Sequence, residues 1–235
     1  MSHGGNRRRL EPEERRESIL AAARELFGDH PYAGVSVADV ARSAGVSPPL
    51  VVFYYGSKRA LYLAVIESAA DSIRRGLRAL PGPPSPERLA AGVRFYAEYA
   101  RAHRAGFLSL LRGGHERALP EATTVVERLR DEIAEQILAD LASVAEETEG
   151  AERAEGELGP VTALAVRGYL GYVDAVVVQW LALSPEVVGP DTVAALAVGA
   201  FLGGLSAVGS VPSLGPSLTS STPPRTPVGP GPQER

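Results

Sequence analysis

Apolar residues recur at steps of three and four along most of this chain, and no stretch shows the two-residue alternation of a half-buried strand. That rhythm restricts the fold to helices packed on helices, an all-α protein. Residues 11–28 read as a first helix in which Ile19, Ala22, Ala23, Leu26 and Phe27 form one stripe. Pro31 and Gly34 break the chain after it. Ser36 is placed to cap a second helix with Val37, Val40, Ala41 and Ala44 on its inner face, and Gly45 ends it. Ser47 is placed to cap a third, with Pro48 at the first helical position, where a missing N–H is harmless. Ser57 caps a fourth that runs to about Leu80.

The run PGPPSP at 81–86 is the first internal boundary, and Ser85 with Pro86 opens a helix over 86–102. A short helix is expected over 104–112, before Gly113-Gly114. A strongly amphipathic one spans 121–147 through Val126, Leu129, Ile133, Ile137, Leu141 and Val144. The six glutamates between 146 and 157 lack any chelating pattern and read as solvated charge. Residues 160–184 and 191–209 are two very apolar helices rich in small residues. The segment 192–211 carries no charge and contains Gly199-x-x-x-Gly203, a spacing found in packed membrane helices, but no basic flank adjoins it. Its Ala, Gly and Ser content favours a buried helix at a subunit interface instead, with no membrane partner. From 210 to 235 the chain holds seven Pro and three Gly, a composition that cannot bury a core and reads as a disordered tail.

Several chemistries are excluded or disfavoured. The chain has no cysteine, and His3, His30, His103 and His115 share no ligand spacing, so no metal site is expected. No nucleophile–base arrangement, Gly-rich phosphate loop or paired-carboxylate cluster stands out, so neither catalysis nor a cofactor is expected. Met1 to Arg9 is polar and basic without an apolar run, which predicts no secretory signal and a cytoplasmic location. The net charge of −4 is unevenly spread: residues 1–60 carry nine cations and seven anions, and the remainder carries fifteen and twenty-one. A mildly basic head on an acidic body suits a small DNA-reading module attached to something larger.

Within that head the spacing is specific. A helix-turn-helix needs a small residue where its helices cross, a turn residue tolerant of positive φ, and an apolar residue pointing back from the second helix. Ala41, Gly45 and Val51 supply these in register, flanked by Val40, Ala44 and Val46. An ordinary helical hairpin would leave the outward face of 47–55 unexplained.

With Ile19-Leu20, Ala22-Ala23, Leu26-Phe27, Val40-Ala41, Ala44-Gly45-Val46-Ser47 and Ser57-Lys58 before Leu61, residues 15–66 resemble the N-terminal domain of the TetR family of repressors. The rest of the chain matches that family only in layout. The resemblance implies a basic arm (1–12), a three-helix DNA-binding domain (13–73), a helical bundle for ligand binding and dimerisation (74–209) and the tail (210–235). Residues 47–54 would enter the major groove. Ser36, Ser47, Tyr54 and Lys58, the single lysine of the chain, would meet phosphates, and Pro48, Pro49, Leu50 and Phe53 would face the bases. Arg7-Arg8-Arg9 could enter the minor groove or remain solvated. Three positions depart from the family: Val52 stands where Tyr is frequent, Pro49 where Gly is usual, and Tyr55 in place of a buried Phe. The outward face has none of the Arg, Asn or Gln that read bases by paired hydrogen bonds, so apolar contacts and DNA shape are expected to set specificity.

In the TetR layout the body encloses an inducer pocket. Its candidate lining is Phe95, Tyr99, Phe107, Leu111, Tyr169, Tyr172 and Gln179, with Asp174 as a further polar group. Val198, Gly199, Phe201, Leu202 and Leu205 are the candidate dimer contacts, in a four-helix arrangement that sets the recognition helices about 34 Å apart on a palindromic operator. The expectation is a homodimeric repressor of double-stranded DNA, released by a small, mostly apolar inducer. The alternative is a helical ligand-binding or scaffold protein without DNA function.

Overall fold

The computed structural model describes residues 11–111, 119–149, 159–183 and 187–207. The arm, His115, the glutamates at 152, 155 and 157, and the tail lie outside them. Among the described residues there is no strand.

Helix α1 (Pro12–Asp29) opens with proline at its first position, and the Glu11 N–H donates to Glu14 Oε2 at 3.0 Å. A single 3-10 turn at Tyr32–Gly34 leads to α2 (Val37–Ser43). Ser36 caps α2 reciprocally: its hydroxyl oxygen accepts from the Asp39 N–H at 3.1 Å, and its own N–H donates to the Asp39 carboxylate at 3.0 Å. Helix α2 closes in a Schellman turn. The Val46 N–H reaches the Ala41 carbonyl at 2.9 Å and the Gly45 N–H reaches that of Arg42 at 3.3 Å. This turn requires the φ of +65° that Gly45 adopts. Helix α3 (Pro48–Tyr55) and α4 (Lys58–Arg78) follow, the latter capped by Ser57 accepting from the Ala60 N–H.

Ser47 departs from expectation. It occupies the cap position of α3, yet its hydroxyl makes no capping bond. The two prolines that follow have no N–H, so the first amide within reach is that of Leu50, which bonds the Ser47 carbonyl at 3.0 Å.

The body comprises α5 (Pro86–Ala102), α6 (Arg104–Leu111), α7 (Pro120–Glu149), α8 (Pro160–Trp180) and α9 (Pro190–Ala207). Helix α9 packs on α5 and α8, while α7 lies between α4 and α8. Two apolar cores result. The first joins α1 to α4 and also takes in Leu119, Ala122, Val125 and Leu129, so the start of α7 belongs to the core of the head. The second is built from α5 to α9. Helices α8 and α9 are long and apolar enough to cross a membrane, and each buries one stripe in this second core.

Tyr55, the unusual residue of the head core, finds a partner: its hydroxyl donates to the Arg16 carbonyl at 2.8 Å, and the Arg16 guanidinium lies 5.5 Å from its ring centre. Burial pushes its hydroxyl pKa up. Tyr55→Phe is expected to lower stability by about 1 kcal/mol in denaturant titration, with little change in the fold; an unchanged midpoint would show that water replaces the bond at no cost.

Candidate functional site

Helices α2 and α3 cross where Ala41 and Val51 meet, each about 1% exposed. The crossing turns the remaining face of α3 outward. Phe53 is 79% exposed, Val52, Ser47, Pro48 and Pro49 are exposed, and Leu50 and Tyr54 are half-buried. The Phe53 and Tyr54 rings sit edge to face, 5.4 Å apart. No side chain between Ser47 and Tyr55 is charged. At the rim, the Lys58 ammonium rests 4.2 Å from the centre of the Tyr32 ring, a cation–π contact that holds it at the N-terminus of α4. The Ser36 hydroxyl donates to Asp39 at 2.6 Å, and Arg42 pairs with the same carboxylate at 3.0 Å. Those hydrogen bonds hold the Asp39 pKa below the ordinary carboxylate value. The proton that Ser36 would offer a phosphate is therefore already engaged.

A cavity of about 940 Å³ is lined by residues of α1 and of α4 to α9. Of the candidate lining, Tyr99, Phe107, Leu111 and Tyr169 face it. Phe95, Tyr172 and Gln179 do not. Phe95 instead fills the space over Gly76, where a Cβ would fall 2.0 Å from its ring. Tyr172 and Gln179 point out of the body from α8. In their place the structure brings Tyr96, Arg130 and Asp174 together. The Tyr96 hydroxyl donates to one Asp174 oxygen, and Arg130 grips the other through Nε at 2.9 Å and through Nη2. Burial first, and the Asp174 charge second, push the Tyr96 hydroxyl pKa far up, so it stays protonated as the donor. Arg88 at the start of α5 pairs with Asp140 of α7 at 2.8 Å, and both line the cavity.

A closer reading of the stripes would have found Tyr96. The buried face of α5 runs through Val93, Ala97 and Ala100, and Tyr96 adjoins it whereas Phe95 is a step of about 100° away. Arg130 carries no such signal, since it is one of many arginines on an amphipathic helix.

The candidate dimer residues are also redistributed. Val198, Phe201 and Leu205 are buried within the subunit, Phe201 stacking on Tyr169 at 4.3 Å, and Leu202 lines the cavity with Phe201. Of the five, Gly199 is exposed. It shares its outer face with Leu196 and Gly203, and on α8 Leu164, Gly168 and Tyr172 are likewise exposed. Periodicity does not separate these faces, because α9 is apolar on most sides.

A crossed helix pair with its second member turned to solvent is the helix-turn-helix class of DNA-binding domain. Residues 19–65 match the family described as bacterial regulatory proteins, tetR family, and residues 86–156 match the tetracycline repressor-like C-terminal domain. The chain belongs to the TetR family. It is 35% identical over 108 residues to the HTH-type transcriptional activator FasR of Mycolicibacterium smegmatis, covering 44% of this chain and 49% of that one. It is 30% identical over 109 residues to the HTH-type transcriptional regulator EthR of Mycobacterium tuberculosis, covering 45% and 50%. The chain thus spans about half the length of the curated relatives it matches. A tetR-family transcriptional regulator from Streptomyces coelicolor superposes with a TM-score of 0.70 at 26% identity, over 84% of this chain and 83% of that one.

Proposed function

We propose that this protein is a homodimeric transcriptional repressor that binds a palindromic operator and releases it when a mostly apolar small molecule enters the body. The observation that carries the reading is the α2–α3 crossing with its exposed, uncharged α3 face and Lys58 held at the rim by Tyr32. Phosphate contacts from Lys58 and Tyr54 would position the head, and Phe53, Leu50 and the two prolines would meet base edges. Thymine methyls are the complementary surface for such side chains.

Release follows from where the cavity lies. Phe27 and Gly28 of α1 and one side of α4 form part of its wall, so a molecule inside touches the DNA-reading head directly. It can loosen DNA only as far as it prefers the DNA-incompetent shape. A tenfold loss of affinity needs about 1.4 kcal/mol of differential binding, within the range of one buried apolar group. The exposed α8–α9 face is the surface on which the two subunits would join.

Gel shift on fragments bearing the chain's own promoter tests the reading, and absence of any sequence-selective shift would leave the ligand-binding or scaffold alternative. Lys58→Ala is expected to weaken binding to all sequences alike and to make the salt slope shallower by about 0.9 per subunit. A changed sequence preference would assign Lys58 to base reading instead.

A further inference from the structure

Lys58 sits where a cation is ordinarily unwelcome. It opens α4, and the positive end of a helix repels an ammonium. Arg59, the next residue, pairs with Glu121 of α7, whereas among the described residues no carboxylate pairs with Lys58. What holds Lys58 is the face of Tyr32, whose ring centre lies 4.2 Å from the ammonium. Tyr32 reaches it from outside α4, from the 3-10 turn between α1 and α2.

The Tyr32 ring is itself backed by two others. Tyr62 of α4 packs against it with ring centres 4.8 Å apart and planes tilted by 55°, and Phe27 of α1 meets Tyr62 edge to face at 4.9 Å. Phe27 and Tyr62 are each 2% exposed, and close packing keeps them from swinging away. Burial first, and Tyr32 second, push the Tyr62 hydroxyl pKa up to about 12. Tyr62 therefore stays neutral, and it is a ring face, not a phenolate charge, that attracts the ammonium. Phe27 and Tyr62 also line the cavity, and Tyr32 does not. The order outward is cavity, Tyr62, Tyr32, Lys58.

We infer that Tyr32 is a positioning residue for Lys58, fixed in turn by Tyr62 on the cavity wall, so that one aromatic column joins the cavity to a phosphate contact. This rests on the reading of Lys58 as that contact. Lysine carries its charge on a long flexible stem, and ordering the stem on a phosphate costs rotamer freedom. Laid against Tyr32 the stem is already ordered, so the DNA contact costs less. An exposed contact of this kind changes affinity by about threefold per subunit, and by about tenfold for a dimer. Any movement of Tyr62 at the cavity wall shifts the ring beneath Lys58 and weakens the same contact.

Operator titration of the full-length protein at constant salt tests this. Tyr32→Phe keeps the ring and is expected to bind within about twofold of the unmodified protein. A trifluorinated phenylalanine at position 32 keeps the ring shape and removes most of the negative potential of its face. It is expected to bind about tenfold more weakly than Tyr32→Phe at the same melting temperature. Tyr62→Leu takes away the backing ring and is expected to lose a similar factor. In a Lys58→Ala background both losses are expected to vanish, because they act through the lysine. Equal affinity of the fluorinated and Tyr32→Phe proteins would overturn the inference. So would either loss persisting in full without Lys58, since the rings would then be core alone while the phosphate contact stood. Unchanged affinity and salt slope in Lys58→Ala would overturn it differently, by removing the phosphate contact on which it rests.

Discussion

Leu196→Arg is expected to yield monomers in sedimentation at micromolar concentration and to lower operator affinity by at least about a hundredfold, the gain that two linked half-site contacts give over one. Leu196 is 56% exposed on α9, and no ionisable side chain lies on that helix beyond Asp191 among its described residues. On a two-fold axis each substitution occurs twice on the same self-complementary patch, so two arginines would be buried without partners. Gly199 and Gly203 beside it offer open backbone, because a Cβ on either would meet nothing within 4 Å. Phe201→Glu provides the contrast. Its ring is 5% exposed and stacked on Tyr169 inside the subunit, so a carboxylate there is expected to unfold the body rather than to separate subunits. A Leu196→Arg protein that still sediments as a dimer would place the interface elsewhere.

Gly106→Val is expected to destabilise the protein by about 2–3 kcal/mol and to lower DNA affinity with it. Gly106 is where α6 of the body comes closest to α1 of the head. A Cβ there would lie 2.3 Å from the Phe27 carbonyl oxygen and 3.2 Å from the Gly28 Cα. Both are backbone atoms of an intact helix and cannot turn aside as a side chain would. The added group must push α6 off α1 at the same seam that the cavity reaches. Thermal denaturation and operator titration check this together. A normal melting temperature would mean that the seam is looser than its contacts indicate.

The head was largely legible in the sequence because each of its constraints is local. Ala41, Gly45 and Val51 are fixed by a crossing and a turn within residues 41–51, and the Schellman closure at Gly45 follows from that spacing. Ser47 occupies the expected cap position but makes no side-chain cap, beside two successive prolines that offer no amide hydrogen. The body resisted because α8 and α9 carry few charges and are apolar on most sides. Where every face could be buried, periodicity does not say which one is. Tyr172, expected at the pocket, is exposed, and Phe201, expected at the interface, is buried within the subunit; the stripe Thr162, Val166, Tyr169, Val173, Val177 and Trp180 turns inward. The pairing of Arg130 with Asp174 joins residues 44 apart and depends on how α7 and α8 lie together.

The uncharged face of α3 has a calorimetric consequence. If Phe53, Val52 and the two prolines meet thymine methyls, moving from random DNA to the operator adds dehydrated apolar surface and few new ion contacts. Discrimination between the two should then appear as a more negative heat capacity of association, with nearly parallel salt dependences. Operator choice in this protein would strengthen on warming from the cold, opposite to a reader that depends on arginine–guanine hydrogen bonds.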